Sequence, residues 1–331
     1  MHRVSAQSYI LYIITMNSPH LRSIILFFIL LGSVNVCAQS PENSILWKAT
    51  RAGKTIYLLG AIHQGYQAQY PVREQILDSL KSSSVYVTES LIPFLSAKEA
   101  GEQMKKTITV KSEKTLKALL KEKQCSVLAE KENFQSNVEK LLGKDLSTTL
   151  LDYSPSGVIY LIYGHSVPVT QEQQIEMKVA QPMEYYLADQ SKNLEIRHES
   201  LDPEFWESLD ALNALERCNL AVGMANAHVA DDFDESQGYK LMEKMRDLWL
   251  AGNATQIKKL SFLWSDKYAL THGNVEHKWL DVRNKIMSDK ILKLSNNEQS
   301  PIFVAVGAAH LTGKMGILSQ LREAGFNVTP I

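Results

Sequence analysis

Apolar runs of strand length lie near both ends of this 331-residue chain. The stretch "ILWKATRAGKTIYLLG", residues 45–60, predicts two strands around a turn at Arg51-Ala52-Gly53. The second of these strands is apolar enough for the middle of a sheet. "SVYVTES" predicts a third strand, Val85–Thr88, and Ile302–Val306 predicts another near the carboxyl terminus. One sheet would therefore draw its strands from distant parts of the chain.

The carboxyl-terminal segment has the clearest pattern. The strand at Ile302–Val306 is followed by a predicted helix, Met315–Ala324, with Gly325 as its stop and Phe326–Thr329 as a further strand. This order predicts a β-α-β unit.

Helical periodicity dominates the rest of the chain. A short strand, Leu194–His198, is predicted among the helices, and the stretch rich in Lys and Glu at Ser96–Lys140 predicts a solvated helical insertion. The predicted helices cover Pro71–Leu80, parts of 96–140, Glu172–Lys192, 203–221 and 238–252. Together these patterns predict an α/β fold with a single central mixed sheet, built from N- and C-terminal segments and flanked by helices, with a helical middle insertion.

Composition narrows the function more than the fold. The chain is 45% hydrophobic and 21% charged, as in ordinary globular proteins. Its 35 basic and 36 acidic residues give a net charge of -1, so no nucleic-acid partner is expected. No linker interrupts the chain, and a single domain over residues 39–331 is predicted.

The amino terminus resembles a secretory signal peptide. Arg22 precedes an apolar stretch, Ile24–Leu31, and small residues ending at Ala38 suit cleavage there. We therefore predict a signal peptide over residues 1–38, with Met16 as an alternative start, and export to the periplasm or the extracellular space. The alternative is an uncleaved segment, which would anchor the protein to a membrane.

Cysteine usage leaves two alternatives open. After cleavage at Ala38, Cys125 and Cys218 remain, and they form either one disulfide or two ordinary thiols.

A short motif occurs twice and carries the candidate chemistry. Gly60-Ala61-Ile62-His63 and Gly307-Ala308-Ala309-His310 each follow an apolar strand. Random placement of 16 Gly and 9 His would give about 0.4 Gly-x-x-His pairs in the chain. Two pairs, each with Ala after Gly and a strand before it, are therefore hard to attribute to chance.

Gly at a strand end permits a sharp turn or the close approach of a ligand, which makes Gly60 and Gly307 candidate cofactor-binding positions. The imidazoles of His63 and His310 would then lie at the rim of the sheet, where open α/β folds place their sites. Because neutral imidazole binds divalent metals, a shared metal site is predicted, with structural histidines as the alternative.

Two glutamates and a polar pair complete the candidate site. Glu89 and Glu199 each follow a predicted strand, where a carboxylate could bind a metal or act as general base. Arg283 and Asn284 lie on or beside the apolar face of a predicted helix. A buried Arg needs an anionic partner, either a structural carboxylate or a substrate group.

These motifs resemble the TraB/GumN family, which includes the Tiki metalloproteases, over about Leu46 to Pro330. "IYLLGAIHQG", "VYVTES", "LWLAGNATQIKKL", "VRNKIM" and "FVAVGAAHLTGKMGILSQLREAGFNVTPI" carry the resemblance. "PMEYYLADQSKNLEIRHES" aligns Glu199 with a family glutamate, although His198 replaces the usual Leu and Asn253 the usual Asp. The resemblance covers residues 96–171 poorly, and that segment is interpreted as a variable helical lid.

The resemblance implies a divalent-metal-dependent peptidase. His63, Glu89 and His310 would hold Mn, Co or Zn, Glu199 would be a general base or an extra ligand, and Arg283 with Asn284 would bind the substrate carboxylate or the oxyanion. The substrate would be a peptide or another small molecule. The alternative is a non-catalytic protein that binds haem, a metal or a signalling peptide with the same histidines.

Overall fold

The described residues of the computed structural model all belong to one compact unit, Glu42–Ile331. They are 44–90, 92–95, 98–99, 102, 114–121, 136, 139, 150–164, 175–176, 178–201, 209, 211–229, 235–262 and 273–331. The predicted signal peptide and most of the predicted lid lie outside them.

Six strands form one mixed sheet in the order β6-β4-β7-β2-β1-β8, and β3 pairs with β5 in a separate two-stranded ribbon. The predicted α/β fold with a central sheet drawn from distant segments is thereby confirmed. The strands are β1 (Leu46–Arg51), β2 (Lys54–Ala61), β3 (Gly65–Tyr66), β4 (Val85–Thr88), β5 (Val179–Ala180), β6 (Arg197–Ser200), β7 (Ile302–Gly307) and β8 (Asn327–Pro330).

The described helices surround the sheet, and short 3-10 turns follow β3, β4 and β7. The helices are α1 (Glu74–Lys81), α2 (Leu116–Lys121), α3 (Pro155–Gly164), α4 (Met183–Asn193), α5 (Ala214–Val229), α6 (Glu235–Leu250), α7 (Ala254–Ser261), α8 (Gly273–Asn297) and α9 (Ile317–Glu323).

The centre of the sheet is parallel and fully covered. β7 lies between β2 and β4 and is parallel to both, and every residue of β4 and β7 is buried. Parallel strands covered on both faces are continuously apolar, which is why Ile302–Val306 shows no alternation of polar and apolar residues. The hairpin of β1 and β2 turns at Ala52 and Gly53, both with positive φ, as predicted.

The predicted β-α-β unit exists, but its two strands are not neighbours. β8 pairs with β1 in antiparallel fashion, so β2 and β1 lie between β7 and β8. The chain therefore crosses two strands through α9 before it returns to the sheet.

Some predicted boundaries were wrong. The helix predicted over Glu172–Lys192 is interrupted: Ile175 and Glu176 are helical, but Val179–Ala180 pairs with β3, and α4 begins at Met183 after the N-cap residue Pro182. Proline fixes φ and has no N–H, so it suits a helix start and not a helix interior. The strand predicted over Leu194–His198 is Arg197–Ser200 instead, which places Glu199 inside the strand.

A second apolar cluster, separate from the core around the sheet, holds helical segments together. It joins side chains of α2, α3, α5 and α8, including Leu116, Ile159, Cys218 and Trp279. Cys218 is disulfide-bonded, one of the two alternatives open from the sequence. Among the described residues, no helix combines the length and apolar character needed to cross a bilayer.

Candidate functional site

Three strands that end at one edge of the sheet bring the predicted site residues together. Ala61 and Gly307 are partners in the parallel register of β2 and β7, so His63 and His310 both follow strands that end side by side. Glu89 follows directly after β4, the other neighbour of β7. Because parallel strands present their carboxyl ends at the same edge, the two repeated motifs and Glu89 meet there.

The carboxylate of Glu89 is the centre of the group. Nε2 of His63 lies 3.9 Å from its Oε2, and Nε2 of His310 lies 3.5 Å from its Oε1. The backbone N–H of Gly307 donates to Oε2 over 3.2 Å, and Nη2 of Arg283 donates to Oε1. Both imidazoles thus present the same nitrogen to one carboxylate.

The other nitrogen of each imidazole has its own buried partner. Nδ1 of His63 lies 2.8 Å from Oε1 of Glu184, and Nδ1 of His310 lies 2.7 Å from Oδ1 of Asn284. A carboxylate only accepts hydrogen bonds, so Nδ1 of His63 is the donor. In the assigned amide orientation Nδ1 of His310 is also a donor.

Exposure differs sharply between the two histidines. Solvent reaches 57% of the His63 side chain but only 6% of the His310 side chain. The side chains of Glu89, Arg283 and Glu184 are 14%, 7% and 8% exposed. The site is therefore open on the side of His63 and closed on the side of His310.

The glycines of the two motifs serve different purposes. A Cβ on Gly307 would lie 3.3 Å from Nε2 of His63, 3.4 Å from Cδ2 of His310 and 3.5 Å from Oε2 of Glu89, so Gly307 leaves open the space between these groups. A Cβ on Gly60 would instead meet Leu311 at 2.9 Å and Ala308 at 3.2 Å. Gly60 therefore permits close packing of the two motifs, and Gly307 borders the candidate site.

Electrostatics assign different charges to the three groups. Burial alone would raise the pKa of Glu89, but the charge of Arg283 and the interactions with His310 and His63 outweigh burial and hold it well below its usual range. Burial lowers the pKa of His310, although Glu89 opposes that effect. At neutral pH Glu89 is therefore ionised and His310 is neutral.

The pKa of His63 shifts the other way. Desolvation by the surrounding protein lowers it, but the hydrogen bond and charge of Glu184, with the charge of Glu89, together raise it to about 9. Because 57% of the side chain is exposed, solvent weakens these interactions below those of a fully buried pair. The direction still favours a protonated His63 at neutral pH when no cation is bound.

The separations between the donor atoms of His63, Glu89 and His310 can be compared with those around a bound divalent metal. Among the described residues, no group of three or more His, Cys, Asp or Glu side chains is arranged to hold a metal ion as it stands. Ligand bonds of about 2 Å in tetrahedral geometry separate donor atoms by about 3.3 Å. The observed separations of 3.5 and 3.9 Å exceed that value only by tenths of an ångström, which small side-chain rotations can close.

The hydrogen bonding supports the same fit. Because Nδ1 of His310 is the donor to Asn284, a neutral His310 turns an unprotonated Nε2 toward the ionised Glu89. Oε1 already accepts from Arg283, so Nε2 is the atom that a cation between the two would satisfy. Two imidazole nitrogens and one carboxylate are donor types that a divalent ion such as Zn²⁺ takes.

Glu199 is not brought into this group. It lies in the edge strand β6, opposite Val87, and its carboxylate accepts a hydrogen bond from Arg197. Its side chain is partly exposed and has no described contact with His63, Glu89 or His310.

Sequence reasoning missed Glu184, the partner of His63. Glu184 stands in the first turn of α4, within "PMEYYL", where an acidic residue near a helix start is common for reasons of the helix dipole. The feature that distinguishes Glu184 is its place on the buried face of α4, together with Met183, Leu187 and Ala188.

Comparison with known families agrees with the motifs. Residues 45–330 match the model of the TraB/PrgY/gumN family. The chain belongs to this family. The match covers β1 through β8 and includes every candidate site residue described above. No curated protein and no solved structure matches the chain.

Proposed function

We propose that this family member is an exported, metal-dependent hydrolase that acts on peptide-like substrates. One observation carries the proposal: two histidines present Nε2 to a single carboxylate while buried side chains hold both Nδ1 atoms. Metal-binding histidines in proteins are commonly held in this way, because an outer partner fixes the tautomer and the ring orientation.

His63, Glu89 and His310 would hold the ion, with Mn, Co or Zn as the candidates. Such an ion supplies a Lewis acid and lowers the pKa of water toward neutrality. The protein contributes the orientation of its three ligands and a space kept open by Gly307.

Arg283 and Asn284 support the ligands in this proposal. Arg283 donates to Glu89 and packs over the ring of Trp279, with Cζ 5.1 Å from the ring centroid. Asn284 holds His310 through Nδ1. From the sequence, the partner of Arg283 was either a structural carboxylate or a substrate group, and the resemblance implied that Arg283 and Asn284 bind substrate. Their contacts favour a role in holding Glu89 ionised and His310 in one tautomer.

Substrate would approach from the side of His63, because that imidazole is the exposed member of the group. The predicted lid, residues 96–171, stays a prediction, since most of it lies outside the described residues. Export is supported by the disulfide at Cys218, because disulfides persist in oxidising compartments.

A second candidate is a binding protein without turnover. It is favoured by the position of Glu199, the predicted general base, which bonds to Arg197 and not to the cluster. It is also favoured by the two donors, Arg283 and the N–H of Gly307, that already bond to both oxygens of Glu89.

The two candidates are separated by one assay. Protein expressed with its own leader is purified, stripped with a chelator and incubated with a peptide library with and without Mn²⁺, Co²⁺ or Zn²⁺. The variants are His63→Ala and His310→Ala, and His277→Ala is the matched control, because it removes a histidine that stacks on Phe262.

Metal-stimulated cleavage that both site variants abolish and His277→Ala retains supports the hydrolase. Metal or ligand binding by the wild type without cleavage supports the binding protein. Cleavage that persists in both site variants contradicts the proposal.

A further inference from the structure

Glu184 combines features that a surface glutamate does not have. Its side chain is 8% exposed, Oε1 contacts Nδ1 of His63, and Oε2 is buried without a hydrogen-bond partner among the described residues. A buried oxygen without a partner costs free energy, and the cost is larger for a charged group. Stability alone therefore does not explain a carboxylate at this position.

The backbone of Glu184 is fixed independently of its side chain. The hydroxyl of Tyr86, in the central strand β4, donates to the backbone carbonyl of Glu184 over 3.2 Å. The preceding residue, Met183, is fully buried in the core around the sheet. The first turn of α4, which carries the carboxylate, is thus anchored to the sheet.

We propose that Glu184 is a positioning residue that keeps the proton of His63 on Nδ1 and so turns its Nε2 toward Glu89. The effect of Glu184 on metal affinity rests on the proposed function, whereas its effect on the tautomer of His63 does not. Oε1 of Glu184 can only accept, so when His63 becomes neutral it loses the proton of Nε2 and keeps the proton of Nδ1. Nε2 then presents its lone pair to the space that Gly307 leaves open.

The comparison with Asn284 sharpens the role. Asn284 performs the same task for His310 with a neutral amide, and its Nδ2 also has no partner among the described residues. His310 is enclosed by protein, so its ring has little freedom in any case. His63 is more than half exposed, so its orientation depends on Glu184.

The test uses the full chain expressed with its own leader, as wild type and as Glu184→Ala, Glu184→Gln and Glu184→Asp. Asp189→Asn is the matched control, because Asp189 is exposed on the same helix and the same charge is removed. Affinity for Zn²⁺ and Mn²⁺ is measured by competition with a chromogenic chelator. Circular dichroism establishes that each variant is folded.

Glu184→Ala is expected to weaken metal binding about 10–100-fold, the usual loss on removal of an outer partner of a metal-bound histidine. Glu184→Gln keeps an acceptor for Nδ1 and loses less, and Asp189→Asn binds as the wild type. Wild-type affinity in Glu184→Ala overturns the inference while the proposed function stands.

The second readout does not depend on metal. Imidazole ¹⁵N spectra of the stripped protein at pH 10, where His63 is largely neutral, are expected to show the proton on Nδ1 in the wild type and a shift toward Nε2 in Glu184→Ala. If the wild type binds no metal, the proposed function fails, and this spectrum still decides the inference. A proton on Nε2 of neutral wild-type His63 overturns the inference. If Glu184→Ala does not fold, the wild-type spectrum alone is sufficient for this test.

Discussion

The two Gly-Ala-x-His motifs have the same sequence pattern but give their histidines different surroundings. After His310, which ends a 3-10 turn, the chain continues through the buried Leu311 and Thr312, and α8 covers the imidazole with Arg283 and Asn284. After His63 the chain enters the short ribbon of β3 and β5, and the imidazole keeps solvent on one side and Glu184 on the other. A repeated motif thus fixes where two side chains meet, while the elements packed against them decide charge and access.

The largest effect is expected where the closed side is disrupted. Arg283→Met removes the cation from Glu89 and leaves a buried carboxylate, so the free energy of unfolding should fall by about 3–5 kcal/mol in stripped protein. Urea denaturation measures the loss. Lys285→Met is the control on the same helix, because its pair with Asp289 is exposed and should contribute less than about 1 kcal/mol. Equal losses in both variants would contradict a buried ion pair at the site.

The two glycines should respond in opposite ways to the same substitution. Gly60→Ala brings a methyl group against Leu311 and the backbone of Ala308, and should cost about 1–3 kcal/mol of stability. Gly307→Ala places its methyl group between the imidazoles and Glu89, and should weaken metal binding about tenfold with little change in stability. Thermal unfolding and chelator competition separate the two outcomes. The reverse pattern would show that Gly307 does not border the site.

On the open side of the site, His63 should make the stability of the protein depend on pH, with a smaller effect than the substitutions above. The pKa of His63 rises from 6.5 to about 9 on folding, so its contribution is fully present below pH 6.5 and is lost as the pH rises through 9. In stripped protein, the urea midpoint of the wild type should fall more between pH 6.5 and pH 9.5 than that of His63→Gln. Parallel curves for the two proteins would show that folding does not raise the pKa of His63.

The smallest effect is expected from a substitution that gives both histidines an acidic partner. Asn284→Asp gives His310 an anionic partner of the kind that His63 has, and the added negative charge should raise the pKa of His310. The titration of His310 followed by NMR checks the direction, with Asn284→Leu as the variant that removes the partner without adding charge. A pKa that stays unchanged in Asn284→Asp would mean that burial alone governs this imidazole.

Most of the sheet was predictable because its central strands are buried on both faces, and strands buried in this way are continuous apolar runs. The meeting of His63, Glu89 and His310 followed from the same reasoning, since parallel strands share an edge. Glu199 was expected just after a strand, at the edge where the other candidates meet. It lies instead inside β6, where its carboxylate accepts a hydrogen bond from Arg197. Glu184 was missed because its role depends on packing against Tyr86 and His63, which lie far from it along the chain.

The central place of β7 in the sheet determines the order in which the candidate site can assemble. β7 follows β2 and β4 along the chain, yet it separates them in the sheet, and Gly307 and His310 lie at its carboxyl end. A nascent polypeptide that has β2 and β4 but not yet β7 lacks the strand that joins them. The two histidines and Glu89 are therefore brought together only after β7 has been inserted between its neighbours.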